Sequence, residues 1–175
     1  WDALREERYQ RQKSMQIFDR EISLSPRDPR VRAWSDVSDT QKKESDFRMA
    51  VYAAQVNCMD QNIGRLTDTL SKMNKLENTL IIFLSDNGAC AEPYEEFGGG
   101  KFDDINNPAI SGAVSYGIGW ANLSNTPFYE YKLKSYEGGV SAPFIVSWPR
   151  KIEKNVGKMV HQPSYLIDVM PTLIE

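Results

Sequence analysis

Cysteine and histidine are scarce in this chain: Cys58 and Cys90 are its two cysteines and His161 its single histidine. Two cysteines so far apart exclude a disulfide scaffold or a zinc knuckle, and they do not report the redox compartment. His161, followed by Gln162-Pro163 with no carboxylate partner in register, reads as a surface or helix-entry residue, not a catalytic base. No apolar run approaches the ~18 residues that span a membrane. Positive charge is not in excess either. The net charge is -3 with 26% charged residues, and no basic block has the aromatic interleaving of a nucleic-acid surface. Internal repeats and low-complexity segments are also missing. What remains is an ordinary globular composition, 41% hydrophobic over 175 residues, enough for one domain with a sizeable core.

The ends carry signals of their own. The chain opens on Trp1 without an initiator Met or signal peptide, and closes on Leu173-Ile174-Glu175 inside an apolar pattern with no helix stop. The expectation is an internal piece of a longer protein, truncated at both ends.

Residues 2–18 are charged and read as a helix, with Leu4, Tyr9, Ile17 and Phe18 as its few apolar contacts. Residues 23–34 hold Pro26 and Pro29 and read as an extended surface loop. Ser38 or Asp39 is placed to cap the longest element. Its apolar residues Phe47, Val51, Ala54, Cys58 or Met59, Ile63, Leu66, Leu70 and Met73 step by three or four, which predicts a helix with one buried face ending near Lys72, Asn74 and Lys75. The organisation expected is therefore a helix and Pro-rich loop over 1–38 and an α/β core over 39–175.

The most informative stretch is 79–88. Leu80-Ile81-Ile82-Phe83-Leu84 predicts a short strand buried on both faces, and it stops at Ser85-Asp86-Asn87-Gly88, where Asn-Gly signals a turn. A carboxylate and a carboxamide are thus delivered at a strand's carboxyl end, the edge at which open α/β sheets bind ligands. Two hard oxygen donors, Asp86 and Asn87, suit Ca²⁺ or Mg²⁺. By spacing alone the plain reading, a turn after a core strand, comes first. Residues 89–127, with Gly98-Gly99-Gly100 and Asn106-Asn107-Pro108, form a long irregular loop of the kind that carries function. Trp120 and Tyr116 within it are either pocket lining or packing anchors. Pro143 and Pro149 bound a second strand. Asp168-Val169-Met170-Pro171-Thr172-Leu173 reads as another helix entry, with Ser164 a candidate cap.

Several strings, in order, resemble the type I sulfatases, the arylsulfatase family. They are Asn57-Cys58-Met59-Asp60-Gln61-Asn62-Ile63-Gly64-Arg65-Leu66, Leu76-Glu77-Asn78-Thr79, Ser85-Asp86-Asn87-Gly88, and Trp120-Ala121-Asn122-Leu123-Ser124-Asn125-Thr126-Pro127-Phe128. Tyr131-Lys132 through Tyr136-Glu137-Gly138-Gly139-Val140, Pro143-Phe144-Ile145-Val146-Ser147-Trp148-Pro149, and the closing Ile167-Asp168-Val169-Met170-Pro171-Thr172-Leu173 complete the set. The resemblance implies an alkaline-phosphatase-like sulfatase sandwich, a central mostly parallel sheet flanked by helices and only partly present here. It also implies sulfuric ester hydrolysis by a formylglycine nucleophile beside a divalent cation, usually Ca²⁺. By position, Asp86 and Asn87 are two of the metal ligands and Lys132 is the lysine that contacts sulfate. A cation and a fixed ammonium would stabilise the charge that spreads over the sulfuryl oxygens. Lys134, two residues on, is the position most easily confused with Lys132. Asp60 and Asp168 also match the family, but both sit in helical patterns where capping or a buried salt bridge explains them. Gly138 and Gly139 suit a tight turn.

The formylglycine motif (Cys or Ser, any residue, Pro or Ala, any residue, Arg) is not met. Cys58 and Cys90 lack the following pattern, and Ser147-Trp148-Pro149-Arg150-Lys151 has Lys where Arg belongs. The nucleophile, the paired aspartates of the first strand and the acid–base histidines lie upstream in the family. The chain reads as the downstream half of the catalytic domain, needs that upstream half, and should not turn over sulfate esters by itself. Substrates would be sulfated small molecules or glycans, with no nucleic-acid partner, and family analogy favours an extracytoplasmic site. The competing readings are a phosphodiesterase or phosphonate hydrolase of the alkaline phosphatase superfamily, and a non-catalytic piece that pairs with another chain. Asn122-Leu123-Ser124 is a glycosylation sequon, a pattern common by chance.

Overall fold

The computed structural model describes residues 1–18, 20–107, 109 and 114–174. Pro108 and Glu175 lie outside the described residues. Helix α1 (Asp2–Ser14) stops short of residue 18. Helix α2 (Asp39–Lys72) follows, then strand β1 (Ile81–Leu84), helix α3 (Gly117–Ser124), the one-turn helix α4 (Glu137–Val140), strand β2 (Phe144–Ser147) and helix α5 (Val169–Ile174).

α3 is the centre of the core. It lies inside the span expected to be an irregular loop, and every residue from Gly117 to Leu123 is buried. The reason is aromatic packing. Trp1 stacks edge-on to Trp34 at 4.6 Å and to Trp120 at 5.8 Å, and Phe97 closes the group at 6.0 Å from Trp1. Such T-shaped pairs bury much area and add favourable quadrupole contacts. Gly119 permits this approach, since a Cβ there would stand 2.7 Å from the Trp1 ring. Trp120 is thus a packing anchor, its indole N–H donating to Ser45 O (2.9 Å) and Ser45 Oγ (2.8 Å) on α2.

α1 docks on α3 through basic side chains, not through Leu4, which is exposed. Arg5 is buried and donates to Asn122 O (3.3 Å), Ser25 O (2.7 Å) and Ser25 Oγ (2.6 Å). Arg8 reaches Leu123 O at 3.4 Å, and Gln12 reaches Thr126 O at 2.8 Å. Arg5 and Arg8 thereby reach carbonyls in the last turn of α3, where the helix dipole favours positive charge. Asn122 itself is buried, so its sequon is inaccessible in the folded chain.

α2 starts where expected, the Ser38 hydroxyl accepting the Gln41 N–H at 3.3 Å. One face was expected to be buried along its length; only Ser45 and Arg48 are buried. Leu66 remains 56% and Met59 45% exposed. The apolar stripe exists, but nothing among the described residues covers its second half. Arg48 ties α2 to the glycine run, donating to Gly99 O (2.8 Å), Gly100 O (2.9 Å) and Ser115 O (2.8 Å).

β1 and β2 pair antiparallel, with Ile81 opposite Ser147 and Leu84 opposite Phe144. The expectation of a mostly parallel sheet does not hold for this pair. The connection returns the chain to the end it left: Ser85, just past β1, donates to Pro143 O, just before β2, at 3.2 Å. β1 is half-buried and β2 exposed, so burial on both faces is not reached here either. Near the carboxyl end, Tyr165 and not Ser164 precedes the 3-10 turn Leu166–Asp168 that leads into α5. Asp168 is exposed and forms no buried ion pair, and Asp60 is exposed on α2.

Candidate active site

The loop that leaves β1 is held by the segment before α4. Gly88 N–H donates to Gly139 O (3.0 Å), and Lys132 N–H donates to Ala89 O (3.1 Å). Asn125 staples the two: its Oδ1 accepts the Ala89 N–H at 2.9 Å, while Nδ2 donates to Glu130 O (2.8 Å) and Gly138 O (2.7 Å). Gly88 was expected to serve a turn through positive φ, but its φ lies outside that region. Its role is close approach, because any Cβ there would strike the carbonyl of Gly138. Gly138 is in the same position toward Tyr129 and Glu130, and both Gly138 and Gly139 lie within α4 instead of a bare turn.

On this mount Asp86 is exposed and Asn87 half-buried. Neither side chain makes a hydrogen bond or ion pair among the described residues, so their oxygens are free to face a ligand. Ser85 Oγ donates to Asn87 O at 2.8 Å, closing the turn between them. Lys132 Nζ donates to Glu92 Oε2 at 2.7 Å, and the same oxygen accepts the Cys90 thiol at 3.4 Å. The Lys132 ammonium is held above the ordinary lysine range, first by that hydrogen bond, then by the charges of Cys90 and Glu92 and, across the loop, of Asp86. The Glu92 carboxyl is correspondingly held low by Lys132 and then by Cys90. The Lys132 N–H on Ala89 O roots this lysine against the loop that carries Asp86 and Asn87. Lys134 is separate, its ammonium lying 5.8 Å from the Tyr94 ring centre.

Beside this rim lies a hollow of about 270 Å³ lined by Arg48, Tyr52, Cys90 and Tyr116 among others. Tyr52 and Tyr116 pack ring to ring at 4.9 Å, and burial pushes the Tyr116 phenol up. His161 is exposed and remote in sequence from these groups. Among the described residues no cluster of three or more His, Cys, Asp or Glu is arranged to hold a metal.

Asp86 and Asn87 stand just past β1, and Lys132 is tied to the same loop at Ala89. The family model described as Sulfatase matches residues 9–175. The chain belongs to the sulfatase family. An arylsulfatase of Klebsiella aerogenes is 37% identical over 82% of this sulfatase chain and 32% of its own length. An uncharacterized sulfatase of Schizosaccharomyces pombe is 29% identical over 99% of the chain and 33% of its own length. The steryl-sulfatase of Mus musculus is 32% identical over 70% of the chain and 16% of its own. The chain thus spans about a third of the length of the first two relatives. Membership implies an α/β fold of the alkaline-phosphatase kind, and helices with a strand pair are consistent with part of one.

Two contributors to this rim carry no signal in the sequence. Asn125 lies within a string that carries the resemblance, but nothing in its spacing announces a staple. Glu92 stands 40 positions from Lys132, and no local pattern relates them.

Proposed function

We propose that the protein carrying this chain hydrolyses sulfate esters of small molecules or glycans, with Lys132 contacting the sulfate. Asp86 and Asn87 then hold part of the shell of a divalent cation, Ca²⁺ or Mg²⁺. The observation that carries the reading is the shared rim: two unengaged oxygen donors at the end of β1 and an ammonium fixed across the same loop. A carboxylate and a carboxamide are the donors a hard cation takes, but six or more oxygens are usual, so further ligands must come from elsewhere. A cation bound there supplies charge that polarises a sulfate oxygen. Lys132 orients the anion and offers N–H groups to oxygens whose charge grows in the transition state.

The nucleophile, a formylglycine, is expected upstream, in keeping with a downstream portion of a sulfatase sandwich in which 1–38 and 39–175 belong to one catalytic domain. The chain alone is not expected to turn over substrate. In the polypeptide that includes the upstream part, mass spectrometry should find the formylglycine mass shift. Lys132→Ala should lower kcat/KM for an aryl sulfate by about a hundredfold or more, the scale seen on removing one oxyanion-stabilising donor. Unchanged turnover in that variant removes Lys132 from the mechanism. Preferential turnover of a phosphate diester moves the assignment to a phosphodiesterase of the same superfamily.

A further inference from the structure

We propose that Glu92 is the positioning residue of Lys132: its carboxylate takes one N–H of the ammonium and fixes the direction in which the other two meet an anion. The inference deepens, and rests on, the sulfatase reading of Lys132. An exposed ion pair is usually worth little, because two long side chains must be ordered to make it. Here the backbone has done most of that ordering. Glu92 follows Ala91, which is fully buried in the aromatic core, and Lys132 follows the fully buried Tyr131. Tyr94 joins the two stems, its N–H donating to Ala91 O at 2.7 Å and its hydroxyl to Lys132 O at 2.9 Å. The Lys132 N–H on Ala89 O, at 3.1 Å, closes the frame.

Both side chains thus leave the core rim side by side, and the 2.7 Å contact follows from where they are rooted. The Cys90 thiol donates to the same carboxylate oxygen at 3.4 Å and restrains Glu92 further. An ammonium has three N–H donors, so an anion need not displace Glu92 to bind. Without Glu92 the lysine stem regains its rotamers, and an anion must order it at each binding event.

The test uses the complete polypeptide with Glu92→Ala, Glu92→Gln and Glu92→Asp. For an aryl sulfate, Glu92→Ala should lower kcat/KM about tenfold, the loss expected when a hydrogen bond to a charged group is removed, with an unchanged thermal midpoint. Glu92→Asp should recover part of the loss, and Glu92→Gln less. Labelling of Lys132 by acetic anhydride, read by peptide mass spectrometry, gives a readout independent of turnover. Inorganic sulfate should protect Lys132 in the parent and protect it far less in Glu92→Ala. Wild-type kinetics and protection in Glu92→Ala overturn the proposal, as does a lowered thermal midpoint with protection intact, which would make the pair structural. The two readings fail separately. Full turnover in Lys132→Ala sinks the sulfatase role of Lys132 itself, whereas loss there with a normal Glu92→Ala sinks Glu92 alone.

Discussion

The aromatic core around α3 and the second half of α2 both carry apolar side chains but meet opposite fates. Trp1 and Trp120 are almost fully buried, with the half-buried Trp34 and Phe97 packed against them. Met59, Leu66 and Met73 form an equally regular stripe and stay exposed. The strand pair resembles the stripe, with Ile145 57% exposed on β2. The difference is the presence of a second surface. The segment before α2 supplies Trp1, Trp34, Arg5 and Arg8 to α3, whereas the second half of α2 has no buried residue. An apolar periodicity shows which face of a helix wants burial, and only a partner decides whether burial occurs.

Trp120→Ala should break this contrast most strongly. Losing a fully packed indole and its bond to Ser45 should cost about 3–5 kcal/mol, measured as a shift in the urea unfolding midpoint. Next comes the link between core and rim. Asn125→Ala leaves the Ala89 N–H and the Glu130 and Gly138 carbonyls without their partner, for roughly 2 kcal/mol. Hydrogen exchange should speed up at Gly88 and Ala89 while the amides of α3 stay protected.

Asp28→Asn tests the outer wall of the core. Asp28 is 1% exposed and takes Arg30 Nη2 at 2.6 Å and the Tyr131 hydroxyl at 2.8 Å. Burial by itself would raise its pKa, but the hydrogen bonds from Arg30 and Tyr131 outweigh it and hold the carboxyl below the usual range. Because the folded value is depressed, the stabilisation is complete above the unfolded value of about 3.9 and is lost as pH falls through the folded one. The variant should therefore be destabilised by about 2 kcal/mol at neutral pH, and the gap should close under acid, as pH-dependent unfolding would show. Smallest of all, Leu66→Ala in this chain should change stability by no more than about 0.5 kcal/mol. A cost several times larger would mean that the stripe is covered.

Much of the fold was legible because its signals are local. The Ser38 cap, the end of α2 at Lys72, and β1 and β2 between their turn residues follow from capping chemistry, periodicity and proline placement. The Asp86-Asn87 pair at a strand end was legible for the same reason. α3 was not. Its eight residues include two glycines and lie between loop-rich segments, so propensity argues against a helix that aromatic packing and the Arg5 and Arg8 contacts nevertheless stabilise. The glycines misled in a second way: Gly88 and Gly138 are there for backbone-to-backbone approach, which spacing does not distinguish from a turn.

The amino-acid order by itself determined the family, through an ordered set of strings, and which side chains could do chemistry at the end of β1. The tertiary structure alone decided which of them meet. The 2.7 Å pairing of Lys132 with Glu92 and the antiparallel course of β1 and β2 depend on how the intervening chain returns. Pairings between residues distant in sequence are set by packing of the segments that separate them, and no local signal encodes that.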